Sequence, residues 1–104
     1  MQIDIAKSLR AAIRNGKVAI GAKETLKTIK SGEAQLILLA SNCPERFKRA
    51  IQQSDTPTVE VEFSSVELGS LSGKPFTISS LSVIDPGSSD IMELREKEIS
   101  DDRS

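Results

Sequence analysis

The side chains best placed to do chemistry in this chain are cations, an amide and an aromatic ring set beside glycines and prolines. Lys23 and Lys27 stand one helical turn apart just beyond Gly21, which follows the short apolar run from Lys17 to Ile20. The unpaired amide groups of a helix start, joined by two lysines, make a seat for phosphate, and a glycine lets another backbone come close. A glycine-opened helix with solvated lysines fits the same residues. Gly73-Lys-Pro-Phe-Thr77 presents Phe76, one of only three aromatic residues. Its ring could stack on an unpaired base or begin the core face of a strand. In Ser41-Asn-Cys-Pro-Glu-Arg46, Asn42 can read base edges and Arg46 can hold phosphate. The three segments adjoin neighbouring strands, so they are expected to converge at one end of a sheet.

Catalysis is poorly supplied by comparison. The chain has no histidine and one cysteine, which removes the usual neutral-pH proton shuttle, the commonest metal ligand, disulfides and thiolate metal sites. Cys43 lies near a helix start, where a thiol pKa can fall, but no histidine is present to activate it, and a small buried thiol is the plainer reading. Glu60 and Glu62 share one side of a strand as its solvated face. Gly69-Ser-Leu-Ser-Gly73-Lys74 has the wrong spacing for a phosphate-binding loop and follows no strand. The residues therefore predict no enzyme, no cofactor, no metal and no small-molecule substrate.

A net charge of −1 argues at first against a polyanionic partner. Its distribution argues the other way. Residues 1–52 carry ten bases and four acids, a net of +6, whereas residues 53–104 carry four bases and eleven acids, a net of −7. Such asymmetry marks nucleic-acid contact, an acidic tail, or charges that segregate on a solvated surface. A chain of 104 residues with 38% hydrophobic content fits one packed domain. Its amino terminus lacks an apolar stretch of signal-peptide length and no segment approaches a membrane span, so a soluble intracellular protein with no membrane partner is expected.

The elements that must position these residues are legible from spacing. Ile5, Leu9 and Ile13 with Asp4 as cap predict a helix ended by Asn15-Gly16. Lys17 to Ile20 predicts a buried strand, and Ala22 to Ser31, stopped by Gly32, a second helix. Ala34 to Ala40 is apolar throughout, the pattern of a central strand. Pro44 opens a third helix with Phe47, Ala50 and Ile51 at core spacing. Val59, Val61 and Phe63 alternate with glutamates as an outer strand. Ser64 and Glu67 form a capping box for a short helix carrying Val66 and Leu68, halted at Gly69 or Gly73. Thr77 to Ile84 reads as a last strand before the turn Asp85-Pro-Gly87. Ile91, Met92 and Leu94 form a weak helical stripe. The sum is an α/β domain over residues 1–95, with about four strands in a mixed sheet and a charged, flexible tail over 96–104.

Gly21-Ala-Lys-Glu-Thr-Leu-Lys27, Ala34-Gln-Leu-Ile-Leu-Leu-Ala-Ser-Asn-Cys-Pro44 and Val66-Glu-Leu-Gly-Ser-Leu-Ser-Gly-Lys-Pro-Phe-Thr77, followed by Asp85-Pro-Gly87, closely resemble the thirty-e family of large-subunit ribosomal proteins. That family is a branch of the kink-turn RNA-binding superfamily, and the likeness runs from about Leu9 to Leu94. It implies a three-layer α/β/α sandwich that clamps a sharply bent ribosomal RNA duplex in the cytoplasmic ribosome, among neighbouring ribosomal proteins. By motif position, Gly21, Ala22, Lys23, Glu24 and Lys27 would meet the G·A stem and its phosphates. Asn42 and Arg46 would meet the bulge, while Gly73, Lys74, Pro75, Phe76 and Ile78 would pack on a flipped-out nucleotide. Two departures stand out. The stretch from Pro44 to Phe63 is about four residues shorter than is usual there and lacks a pair of tyrosines, which implies a trimmed or shifted third helix. Lys23 replaces the asparagine usual in the guide-RNA branch, which favours the ribosomal branch. The alternatives are a guide-RNA particle component and a protein-interaction module using the strand edge near Val59.

Overall fold

A computed structural model describes residues 4–94. The elements follow one another as α1 (Ile5–Asn15), β1 (Lys17–Ile20), α2 (Ala22–Ser31), β2 (Leu36–Leu39), α3 (Glu45–Gln52), β3 (Thr58–Glu60), α4 (Ser65–Leu71) and β4 (Ser80–Asp85). Local chemistry sets several ends. Asp4 caps α1 by accepting from the Lys7 amide, and the Ser64–Glu67 capping box opens α4 with both reciprocal bonds present. Gly21 opens α2 at φ +102°, a conformation that favours glycine. The tail expected over 96–104 lies outside the described residues.

The strands form one sheet in the order β1-β4-β2-β3. β4 runs antiparallel to β1 and β2, while β2 and β3 are parallel. β1, β2 and β3 therefore end at the same rim, where β4 begins. β2 is wholly buried because helices cover both its faces. Leu36 and Leu38 join the larger core with Leu9 and Ala12 of α1, Leu68 of α4, and Leu81 and Val83 of β4. Ile37 and Leu39 point the other way, toward Ile51 of α3 and Leu26 and Ile29 of α2. The result is the three-layer α/β/α sandwich.

The second face has a polar seam. Ser80 and Ser82 of β4 are fully buried and meet Thr25 and Thr28 of α2. The Thr28 hydroxyl donates to the Thr25 carbonyl at 2.7 Å and also lies 2.9 Å from the Ser82 hydroxyl. Each hydroxyl has a single proton, so Ser82 is the donor in the second bond. These bonds satisfy groups whose burial would otherwise be costly and fix α2 against the start of β4.

Several local expectations need correction. Pro44 opens α3 as its cap, but of the three residues expected to face the core only Ile51 is buried; Ala50 is exposed and Phe47 half-buried. Gly69 lies inside α4, which runs on to Leu71 before Gly73. β3 ends at Glu60, yet Val61 stays buried and Glu62 exposed, so the alternation outlasts the ladder. β4 begins at Ser80, three residues later than spacing predicts.

Candidate nucleic-acid interface

Backbone hydrogen bonds tie the three chemically suggestive segments to one rim. The Gly21 amide donates to the Ser80 carbonyl and the Ala40 amide to the Ser79 carbonyl, each at 2.9 Å. The Ser41 amide donates to Phe63 at 2.8 Å, which brings in the chain entering α4. The loop after α4 returns to the same place, because the Ile78 amide donates to the Ser65 carbonyl at 2.9 Å.

At the α2 corner, the Gly21 carbonyl accepts from the Thr25 amide, and no side chain caps the helix. The amides of Ala22, Lys23 and Glu24 thus have no partner within the helix. A Cβ at Gly21 would meet nothing within 4 Å. Glycine is required there by backbone angle, and the ground above it is open. Lys23, Glu24 and Lys27 are all exposed. Glu24 and Lys27 pair at 3.3 Å on a surface where both side chains are more than half exposed, so water screens the pair and leaves Lys27 easily diverted to another anion.

Asn42 proves busier than its sequence suggested. Its Oδ1 accepts from the Ser65 amide at 2.8 Å and its Nδ2 donates to the Ser65 hydroxyl at 3.3 Å. It clasps the β2–α3 loop to the start of α4, keeping one N–H and one lone pair for a ligand. Arg46 is exposed and its guanidinium lies 4.9 Å from the centre of the Phe47 ring. Below it, Lys48 pairs with Glu60 at 2.7 Å, and that bond raises the lysine pKa. Burial pushes the neighbouring Cys43 thiol up, with the Lys48 charge acting the other way. The thiol therefore sits on the protonated side of an ordinary cysteine, contrary to the lowering a helix start could produce.

The loop Gly73 to Thr77 is exposed along its whole length, and Phe76 stands 56% open to solvent. Ile78 differs from its neighbours. At 1% exposure it belongs to the larger core, so its side chain supports the loop from beneath. Sequence reasoning missed Val66, which is 64% exposed and lines an open groove of about 310 Å³ with Ser70, Lys74, Pro75, Phe76 and Thr77. The signal was present. Val66 and Leu68 are two residues apart, so they cannot share a helix face, and Leu68 is the one that is buried.

No group of three or more histidine, cysteine, aspartate or glutamate side chains is arranged to hold a metal ion among the described residues, and no described helix is long and apolar enough to cross a membrane. A small α/β/α domain that gathers cations, an amide and an open aromatic groove at one rim of its sheet belongs to the class of binding domains. The chain is a member of the ribosomal protein L7Ae/L30e/S12e/Gadd45 family, which matches it over residues 3–93. Among its relatives is the large ribosomal subunit protein eL30 of Methanosarcina mazei, 46% identical over 92 residues, covering 88% of this chain and 89% of the relative. The protein of the same name from Methanoregula boonei is 43% identical over 94 residues, covering 89% and 97%. A solved structure of a protein with unknown function from Bacillus halodurans C shares the fold at a TM-score of 0.75 and 21% identity, over 91% of this chain and 99% of that one.

Proposed function

We propose that this chain is a structural constituent of the large ribosomal subunit, working in the cytoplasm, and that it binds a kink-turn in ribosomal RNA through the rim where β1 and β2 end and β4 begins. It is a binding protein and not an enzyme, in keeping with the relatives named eL30. The observation that carries the RNA reading is the meeting, at one rim, of an uncapped α2 start with Lys23, the Asn42 clasp and the exposed Phe76 loop. A sharply bent duplex crowds its phosphates and exposes an unstacked base. Lysines with free amides answer the first problem, and an open apolar groove answers the second.

Within this reading Gly21, Ala22, Lys23, Glu24 and Lys27 take the stem with the sheared G·A pairs. Asn42 and Arg46 take the bulge, and Gly73, Lys74, Pro75 and Phe76 take the flipped-out nucleotide, joined by Val66 as the opposite wall of the groove. Neighbouring ribosomal proteins would pack around the complex. The test is a mobility shift with a kink-turn RNA and with a variant whose G·A pairs are replaced by Watson–Crick pairs. Retardation of the first alone is expected, together with co-sedimentation of the protein with large subunits. Equal affinity for both RNAs would reduce the rim to a nonspecific cationic surface.

A further inference from the structure

A second groove lies between α1 and the end of α4, with a volume of about 300 Å³. Arg10 and Arg14 stand on its α1 wall, Ile13 and Leu71 give it apolar surface, and Ser72 and Gly73 complete the α4 side. The two arginines are exposed and neither pairs with a carboxylate among the described residues, where the ion pairs are Lys27–Glu24 and Lys48–Glu60. Two like charges one turn apart cost a helix stability. Among the described residues no carboxylate lines the groove to offset them. Ser72 adds an independent mark: its residue is 8% exposed and its hydroxyl is buried without a hydrogen-bond partner, a state that is uncommon in a finished core.

The groove is continuous with the RNA-facing loop. Ser70 lines both grooves, and Gly73, at the edge of this one, leads directly into Lys74 and Phe76. We infer that Arg10 and Arg14 form a second phosphate site, which holds the sugar–phosphate backbone of the RNA strand as it runs on from the nucleotide at Phe76. Four residues of helix separate the points where the two arginine side chains leave the backbone by about 6 Å along the axis, close to the step between consecutive phosphates of one strand. Each fork can take two phosphate oxygens, while the apolar floor accepts the sugar face. This site rests on the RNA reading above and widens its footprint from the rim onto α1.

The test uses two RNAs: a kink-turn that ends close to the bend, and the same kink-turn with the stem beyond the unpaired nucleotide prolonged by one helical turn. The variant is Arg10→Gln/Arg14→Gln, with Arg10→Lys/Arg14→Lys as its charge-preserving counterpart. On the long RNA the glutamine variant is expected to lower the slope of log affinity against log salt by about 2, one for each phosphate lost. Between about 50 and 200 mM salt the wild type would then lose roughly tenfold more affinity than the variant. On the short RNA the two should bind alike, and the lysine variant should keep the wild-type slope on the long RNA while binding more weakly. Unchanged slope and affinity on the long RNA, with or without a lower melting temperature, would overturn the site and leave the arginines as a structural feature of the α1–α4 contact. If the wild-type protein fails to distinguish the kink-turn from its Watson–Crick variant, both this site and the rim reading fall. If it distinguishes them and only the arginine effect is missing, the rim reading stands alone.

Discussion

The two ends of the rim are built by opposite means. At the α2 corner the functional groups sit on an element fixed from below. Thr25 is fully buried, Thr28 is bonded to Ser82, and the Gly21 amide is held by Ser80. At the α4–β4 loop, five consecutive residues from Gly73 to Thr77 are exposed, and the backbone hydrogen bonds that hold the loop lie near its ends, from Gly73 to the Ser70 carbonyl, Lys74 to the Gly69 carbonyl and Ile78 to the Ser65 carbonyl. The difference matches what the proposed RNA reading asks of each end. A phosphate seat works only if its amides and cations keep a fixed direction, whereas a ring that stacks on a base must be open and can tolerate adjustment.

The strongest way to break this contrast is to attack the close approach of the loop backbone to α4. A Cβ on Gly69 would lie 2.0 Å from the Phe76 carbonyl oxygen and 3.1 Å from its carbon, and both are backbone atoms that cannot swing aside. Gly69→Ala is expected to lower stability by about 3 kcal/mol, near the upper end for overpacking, and to lower RNA affinity with it. Chemical denaturation and a binding titration on the same preparation check this. A variant that melts and binds like wild type would show that the loop is not anchored through α4.

At the other corner the fixed base is the hydroxyl seam, and it can be opened without changing shape. Thr28→Val keeps volume but strands the buried Ser82 hydroxyl, at an expected cost of about 2 kcal/mol in stability. Adding Ser82→Ala removes the stranded partner, so the double variant should recover part of that loss. Strict additivity in the denaturation midpoints would mean that the two hydroxyls are not coupled.

The same contrast explains what was readable in advance. α1, β1 and α2 were legible to the residue at most ends, because Asp4, Gly16, Gly21 and Gly32 act locally as caps and breakers. The convergence of the three loops followed from their positions beside strands. The polar seam was not legible, since Thr25, Thr28, Ser80 and Ser82 are buried by tertiary pairing and read in sequence as ordinary surface-type residues. Nor was the burial of Ile78, because it depends on how the loop folds back under Ser65. Asn42 was singled out for its ability to read a base, yet its two bonds to Ser65 come from a partner 23 residues away.

Phe76 tests the open end directly. With its ring 56% exposed, Phe76→Ala should leave the melting temperature close to wild type and weaken kink-turn binding by about 1.5 kcal/mol, the range for one stacked base. Val66→Ser should act in the same direction through the facing wall of the groove. A Phe76 variant that unfolds early would instead make the ring a core residue and erase the contrast between the two ends.

Lys27 offers the finest distinction, because its charge already has a partner. Its ammonium lies 3.3 Å from Glu24 three residues earlier on the exposed face of α2, a pair that water and salt largely screen. Exchanging that carboxylate for a phosphate therefore costs little, and the rigid α2 start keeps the lysine within reach of whatever sits at the Gly21 amides. Lys27→Gln is expected to leave thermal stability unchanged and to lower the salt slope of kink-turn binding by about 1, with a uniform loss across RNA sequences. A reduced slope without a change in G·A selectivity would make Lys27 a positioning contact on the backbone. An unchanged slope would return it to Glu24 and confine the phosphate seat to Lys23 and the free amides of α2.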